Sequence, residues 1–164
     1  MVHKVVPMKK NKPTIKKAGI HDVTFGENVT VIEPVNIYEC EIGDDCFIGP
    51  FVEIQRNVKI GKFCRVQSHA FICELVSIGD YCFISHGVKF VNDLFSLGKP
   101  AGGDKSLWRP TRVGSHVSIG TNATILPVTI ADNVVIGAGS VVTKDLSEPG
   151  VYAGNPARML RSFK

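Results

Sequence analysis

The chain has 164 residues, enough for one domain with a continuous buried core. Its formal charge of +4 is unevenly spread: residues 1–19 hold Lys4, Lys9, Lys10, Lys12, Lys16 and Lys17 and no acid, while the remainder carries 13 basic against 15 acidic residues. That body has no basic stripe, which argues against nucleic acid. No apolar run approaches the ~20 residues that span a bilayer, and the N-terminus lacks the apolar stretch of a signal peptide; the cytoplasm, without membrane insertion, is the expected compartment.

Residues 1–19 form a basic arm, read either as a contact for an anionic surface or as a solvated terminus. Residues 20–164 form one repeating domain. Large apolar residues begin at Phe25, Val31 and Ile37, restart after five residues at Ile42, and then recur every sixth residue through Ile48, Ile54, Ile60, Val66, Ile72, Ile78, Ile84 and Phe90. Two positions before the later members sits a small residue: Cys46, Val52, Val58, Cys64, Ala70, Val76, Cys82 and Val88. Neither a helix nor an ordinary alternating strand repeats at six, whereas a solenoid of stacked units does. The pattern resumes at Val113, Ile119 and Ile125, shortens again before Ile130, and continues to Ile136 and Val142. Three hexads per coil predict six coils of about 18 residues, starting at Phe25, Ile42, Ile60, Ile78, Val113 and Ile130. At the ~4.8 Å strand spacing these make a prism roughly 29 Å tall.

Both shortenings, and the long interruption after Phe90, then fall at the third corner of a coil. Glycine after the aliphatic residue, as in Ile42-Gly43 and Ile60-Gly61, is expected to permit tight corners. Cys40, Cys46, Cys64 and Cys82 occupy the small inward slot and Cys73 lies outside it; with no CxxC pair, all five read as buried apolar residues. Residues 93–112 interrupt the repeat with Gly98, Pro100, Gly102, Gly103 and Pro110. Such an excursion is either a functional lid or an inert loop; its Lys99, Lys105, Arg109 and Arg112 add charge, and Trp108 offers a flat apolar surface. The chain leaves the prism through Glu148-Pro149-Gly150 and closes with GNPARMLRSFK, expected to form a short helical cap.

Residues 18 apart stack in such a coil. Glu74 and Asn92 stack at the third corner, beside the departing loop, and a carboxylate over an amide suits an amine that must be held and deprotonated. His86 stacks on Ser68 at the second corner, with His69 one residue beyond; either histidine is a candidate base. A three-histidine zinc site would need a close histidine pair on the following coil, and only His116 follows, so no metal is expected.

The hexads resemble those of the hexapeptide acyltransferases over nearly all of residues 23–160. The resemblance implies an all-β, left-handed parallel β-helix, a hand that periodicity alone does not supply. RPTRVGSHVSIGTNATIL, IGAGSVVTKD and GNPAR are similar to the family's C-terminal pattern, and QSHAFICE and SHGVKFVND resemble segments of the nucleotide-linked 3-amino-3,6-dideoxyhexose N-acetyltransferases. By position the resemblance implies that Asn92 bonds the reacting amine, that Glu74 supports it, and that His86 remains a candidate catalytic group. His69, Ser85, Asp93 and Trp108 are the candidate contacts to the sugar nucleotide, and the resemblance sets Thr121, Ala138, Thr143, Lys144, Arg158 and Arg161 against acetyl-CoA. It further implies a homotrimer with sites between subunits. The family's usual extra glycine is missing from Ile125–Ile130, which trims one corner near the expected coenzyme groove. Two alternatives stand beside amine acetylation: O-acetylation of a sugar or small alcohol by a histidine base, and a non-catalytic scaffold subunit.

Overall fold

A computed structural model describes residues 12–163, so Lys4, Lys9 and Lys10 of the basic arm lie outside the described residues. Each hexad contributes a strand of two or three residues whose large apolar member points inward, followed by a corner. Glu41–Ile42, Phe47–Ile48 and Glu53–Ile54 make one such coil. The next coil stacks on it in parallel register, pairing Ile42 with Ile60, Ile48 with Val66 and Ile54 with Ile72. Three sheets of six, seven and eight strands result, parallel except for the last strand of the eight-stranded one, and form the three faces of a parallel β-helix. In the order the chain visits them within a coil, they are the first face (six strands), the second (eight) and the third (seven). The six expected coils are all present. Ile20–His21 precedes them and Gly150–Gly154 follows them, so the solenoid runs for about seven turns.

The core is the inward stack. Ile37, Ile48, Ile54, Ile72, Ile84, Ile119 and Ile125 are fully buried, and so is the small slot at Val52, Val58, Cys64 and Val88. Burying each such aliphatic side chain contributes about 1.5–3 kcal/mol relative to exposing it. The cysteines behave accordingly. All five are free and buried, and Cys46, Cys64 and Cys82 each direct Sγ to a glycine carbonyl 3.1 Å away. Burial pushes the Cys40 thiol up to about 11 and the Cys73 thiol to about 12.

The corners differ from the glycine expectation. The left-handed residue lies three positions after the large one, and it is Asp45, Phe51, Asn57, Phe63, His69, Leu75 and Tyr81 that adopt φ between 56° and 74°. Gly43, Gly61 and Gly120 have no positive φ. They are glycine because coil presses on coil: a Cβ on Gly43 would lie 2.8 Å from the carbonyl carbon of Gly61, and one on Gly120 would lie 2.5 Å from the Ala138 nitrogen. Carboxylates then tie the coils along the first corner. Asp44 accepts from the Glu27 N–H at 2.9 Å, Asp80 from the Lys62 N–H at 2.7 Å and Asp132 from the Ser115 N–H at 2.7 Å.

Two other expectations are corrected. The C-terminal segment is not helical: Ala157–Ser162 is a strand running antiparallel to Gly150–Gly154. The reason is tertiary. Gly150–Gly154 pairs on one side with Val134–Ile136, and without the returning strand its other edge would leave backbone groups unpaired. That demand outweighs the helix propensity of ARMLRS. The excursion also ends two residues earlier than expected, because Thr111 and Arg112 already belong to the strand Thr111–Val113 paired with Val76–Ile78. No helix among the described residues is long and apolar enough to cross a membrane.

Candidate active site

The third corner brings Glu74 and Asn92 together as the 18-residue spacing requires. The Asn92 side-chain amide donates to the Glu74 backbone carbonyl at 3.2 Å. The Glu74 carboxylate, only 8% exposed, is held from two sides. Asn57, one coil below, donates to Oε1 at 3.2 Å. Lys105, from the single 3₁₀ turn of the excursion, places Nζ 2.9 Å from both carboxylate oxygens. Gln55 also accepts from the Glu74 N–H at 3.3 Å. Arg56, directly below Glu74 in the stack, turns instead to Glu39 at 3.2 Å. Glu74 is therefore a fixed, buried carboxylate whose one cationic partner among the described residues comes from the loop.

Asp93 and Trp108 belong to that loop. Asp93 shapes its base, accepting from the Phe95 and Ala101 N–H groups at 2.9 and 2.8 Å. Trp108 is half-buried, with the Lys105 ammonium 5.5 Å from its ring centre. The Arg109 N–H closes the loop onto the Asn92 carbonyl at 2.9 Å.

The second corner holds the other group. Strand register aligns Val66, Ile84, Ile119 and Ile136, so Ser68, His86, Thr121 and Ala138, each two residues further on, form one column. Ser68 Oγ lies 2.8 Å from His86 Nδ1, which fixes the ring and leaves Nε2 as the free nitrogen of an exposed side chain. Buried Ser85 shares a 2.8 Å hydrogen bond with Thr121. His69 stacks face to face on Phe51, 4.9 Å between centroids, and its carbonyl accepts from Lys89 Nζ. His116 is on a different corner, stacked on Tyr81 at 5.0 Å. The two histidines weighed for zinc are thus not brought together. Among the described residues no group of three or more His, Cys, Asp or Glu side chains is placed to hold a metal.

The expected coenzyme residues divide between the corners. Thr121 and Ala138 lie in the His86 column. Lys144 lies in the Asn92 column, since Phe90, Ile125 and Val142 are in register, and exposed Thr143 precedes it. Lys144 and Arg158 line a cavity of about 240 Å³ that Tyr152 and Met159 also border. Arg161 is exposed, over the Phe163 ring at 5.5 Å. His86 and Asn92 are six residues apart along one coil, at most about 20 Å of extended chain.

The partners that spacing did not reveal are Lys105, Asn57 and Gln55. Lys105 is invisible to periodicity because it sits in the aperiodic excursion. Asn57 was within reach: it occupies the left-handed corner position just past Glu74's column.

Two family profiles match the chain: Bacterial transferase hexapeptide (six repeats) over residues 39–74, and Hexapeptide repeat of succinyl-transferase over residues 110–144. Over 137 residues the chain is 31% identical to the bifunctional protein GlmU of Gloeothece citriformis, covering 79% of this chain and 30% of that protein. It thus spans about a third of the curated relatives it matches. A mutant of AntD, an N-acyltransferase from Bacillus cereus solved with dTDP and coenzyme A, is similar with a TM-score of 0.76 at 25% identity, over 86% of this chain and 84% of that one. A maltose O-acetyltransferase from Clostridium difficile gives 0.54 at 26% identity, over 86% and 70%. A mutant GDP-perosamine N-acetyltransferase from Caulobacter crescentus, solved with CoA and GDP-perosamine, shares the fold with a TM-score of 0.60 at 21% identity, over 82% and 54%. With hexapeptide repeats matched in both halves and one coil running through them, the chain is a hexapeptide-repeat β-helix similar to these acyltransferases.

Proposed function

We propose that the protein is an acetyl-CoA-dependent N-acetyltransferase acting on the amine of a nucleotide-linked amino-deoxy sugar of the 3-amino-3,6-dideoxyhexose type. The observation that carries this reading is the Glu74 carboxylate. It is buried, pre-oriented by Asn57, and already engaged by both oxygens with a primary ammonium. A corner built to receive an ammonium suits an amine acceptor better than an alcohol, which brings no charge to offset the buried carboxylate. Asn92, on the next coil, would take a second contact to the same nitrogen.

In the reaction the bound ammonium first gives up one proton to solvent; the neutral amine then attacks the thioester carbonyl, the N–C bond forms as the C–S bond breaks, and a second proton leaves the nitrogen by way of Glu74 to the departing thiolate. The coenzyme would lie along the Thr121–Ala138 column, its phosphates near Lys144, Arg158 and Arg161 as charge-assisted partners. Ser85, His69, Asp93 and Trp108 would border the sugar nucleotide. Holding both reactants in place supplies several kcal/mol of effective molarity, so no strong base is needed. The two columns occupy different corners of one prism, which favours a homotrimer whose neighbouring subunits complete each site.

A second reading draws on His86. With Nδ1–H donating to Ser68 Oγ, Nε2 would be free to act as a base toward a hydroxyl, as O-acetylation would require. Thiol release from acetyl-CoA across a panel of nucleotide-linked amino sugars and their hydroxyl counterparts decides between the two. Turnover confined to amines supports the proposal. Turnover confined to hydroxyl substrates sinks it.

A further inference from the structure

The excursion between Phe90 and Thr111 is tied to the body in an unusual way. Most of its hydrogen bonds are its own: Gly98 to Phe95, Asp104 to Ala101, and Ser106 to Asp104. Leu94, Phe95 and Leu97 are exposed rather than packed. Among the described residues, the polar tether from segment 94–108 to the β-helix is Lys105 on Glu74. The two ends of that tether are unequal. The Glu74 side chain is 8% exposed and keeps its orientation through Asn57, whereas the Lys105 side chain is 51% exposed on a single turn. Lys105 covers the carboxylate, so a second ammonium reaches Glu74 only by taking the position of Nζ.

We propose that Lys105 is an internal stand-in for the acceptor's ammonium: it fills a primary-ammonium site at Glu74, and an incoming amine displaces it and releases the loop. This rests on the amine-acceptor reading above and adds to it a competitor supplied by the chain. The exchange trades one ammonium–carboxylate pair for another, so the buried carboxylate is never left uncompensated, the condition that makes breaking such a pair costly. Affinity for the acceptor is lowered by the fraction of molecules in which Lys105 holds the site. A ligand without a donor-bearing cation has nothing to exchange.

The molecule carries its own reporter, because Trp108 is its single tryptophan and the Lys105 ammonium lies over its ring. Trp108 emission is followed in the wild-type protein during titration with methylammonium chloride, and with tetramethylammonium chloride at matched ionic strength. The expected result is a saturable change with methylammonium and none with tetramethylammonium, which cannot donate to Glu74. Equal responses to both salts, or to neither, overturn the proposal. In Lys105→Met, whose stem is similar in length, the emission should start at the displaced value, and the KM for an amine acceptor should fall about tenfold with the KM for acetyl-CoA unchanged. A raised acceptor KM would mark Lys105 as a structural prop and refute the exchange. The two readings fail separately: a methylammonium-specific response without amine turnover keeps the site and removes the reaction, and amine turnover without the response does the reverse.

Discussion

Replacing Asn92 with alanine separates its structural from its chemical contribution. Among the described residues its side chain makes one hydrogen bond, 3.2 Å to the Glu74 carbonyl, at a half-buried position. Losing a neutral bond of that kind costs about 1 kcal/mol, which for a domain of this size lowers Tm by only about 2–4 °C. Asn92→Ala should therefore fold and bind acetyl-CoA. If the amide bonds the reacting nitrogen as its charge develops, removing it costs far more in rate, on the order of 10²–10³ in kcat/KM by analogy with the loss of one oriented donor elsewhere. Calorimetry and initial rates on the same preparation read the two effects. His86→Ala is the paired variant: it breaks the Ser68 contact of an exposed ring and should leave amine acetylation within a few-fold of wild type. Near-normal turnover in Asn92→Ala, together with near-abolished turnover in His86→Ala, would refute the assignment of the third corner as the acceptor site.

Three further outcomes are expected. Gly120→Ala sets a Cβ 2.5 Å from the Ala138 nitrogen; overpacking against backbone should cost about 2 kcal/mol and lower Tm by about 4–8 °C, and an unchanged melting curve would mean the coil contact is softer than its geometry. Lys144→Ala and Arg158→Ala should each raise the KM for acetyl-CoA about tenfold, an effect that weakens with added salt, while the acceptor KM stays put. The Cys40 and Cys73 thiols are raised to about 11 and 12 from a reference of 9.0. The folded chain therefore holds protons that the unfolded chain has lost, so their contribution to stability is intact below about pH 9 and declines as pH rises toward the folded values. Urea midpoints should fall from pH 9 upward. Iodoacetamide at pH 8, read by mass spectrometry, should label the native protein slowly and all five cysteines once it is unfolded.

The inward half of the molecule was legible because a core position tolerates few residue types: from Ile42 to Phe90 every sixth residue is large and apolar, and it has no other place in a stacked coil. Stacking by 18 extended that legibility outward far enough to pair Glu74 with Asn92 and Ser68 with His86. It failed wherever contacts do not repeat. Lys105 reaches Glu74 from a segment whose path no period constrains. Local propensity favours a helix over GNPARMLRSFK, and the open edge of Gly150–Gly154 overrules it. The glycines were noticed for the right positions and the wrong property. What they supply is thinness between neighbouring coils, while Phe51, Phe63, His69 and Tyr81 accept the left-handed backbone that glycine was expected to provide.

That thinness has a consequence for how such a site can change. Because backbone meets backbone at Gly43, Gly61 and Gly120, the spacing between coils is set by contact, and the outward residues stand on a ruler graduated at about 4.8 Å. Asn92, Pro127 and Lys144 occupy successive marks on one edge, and Ser68, His86, Thr121 and Ala138 on another. A reacting group can be moved by a whole mark or not at all, and even a 1 Å misplacement can cost about 10²-fold in rate. Fine adjustment of reach at the third corner is then left to a segment that is off the ruler, the excursion that carries Lys105 and Trp108.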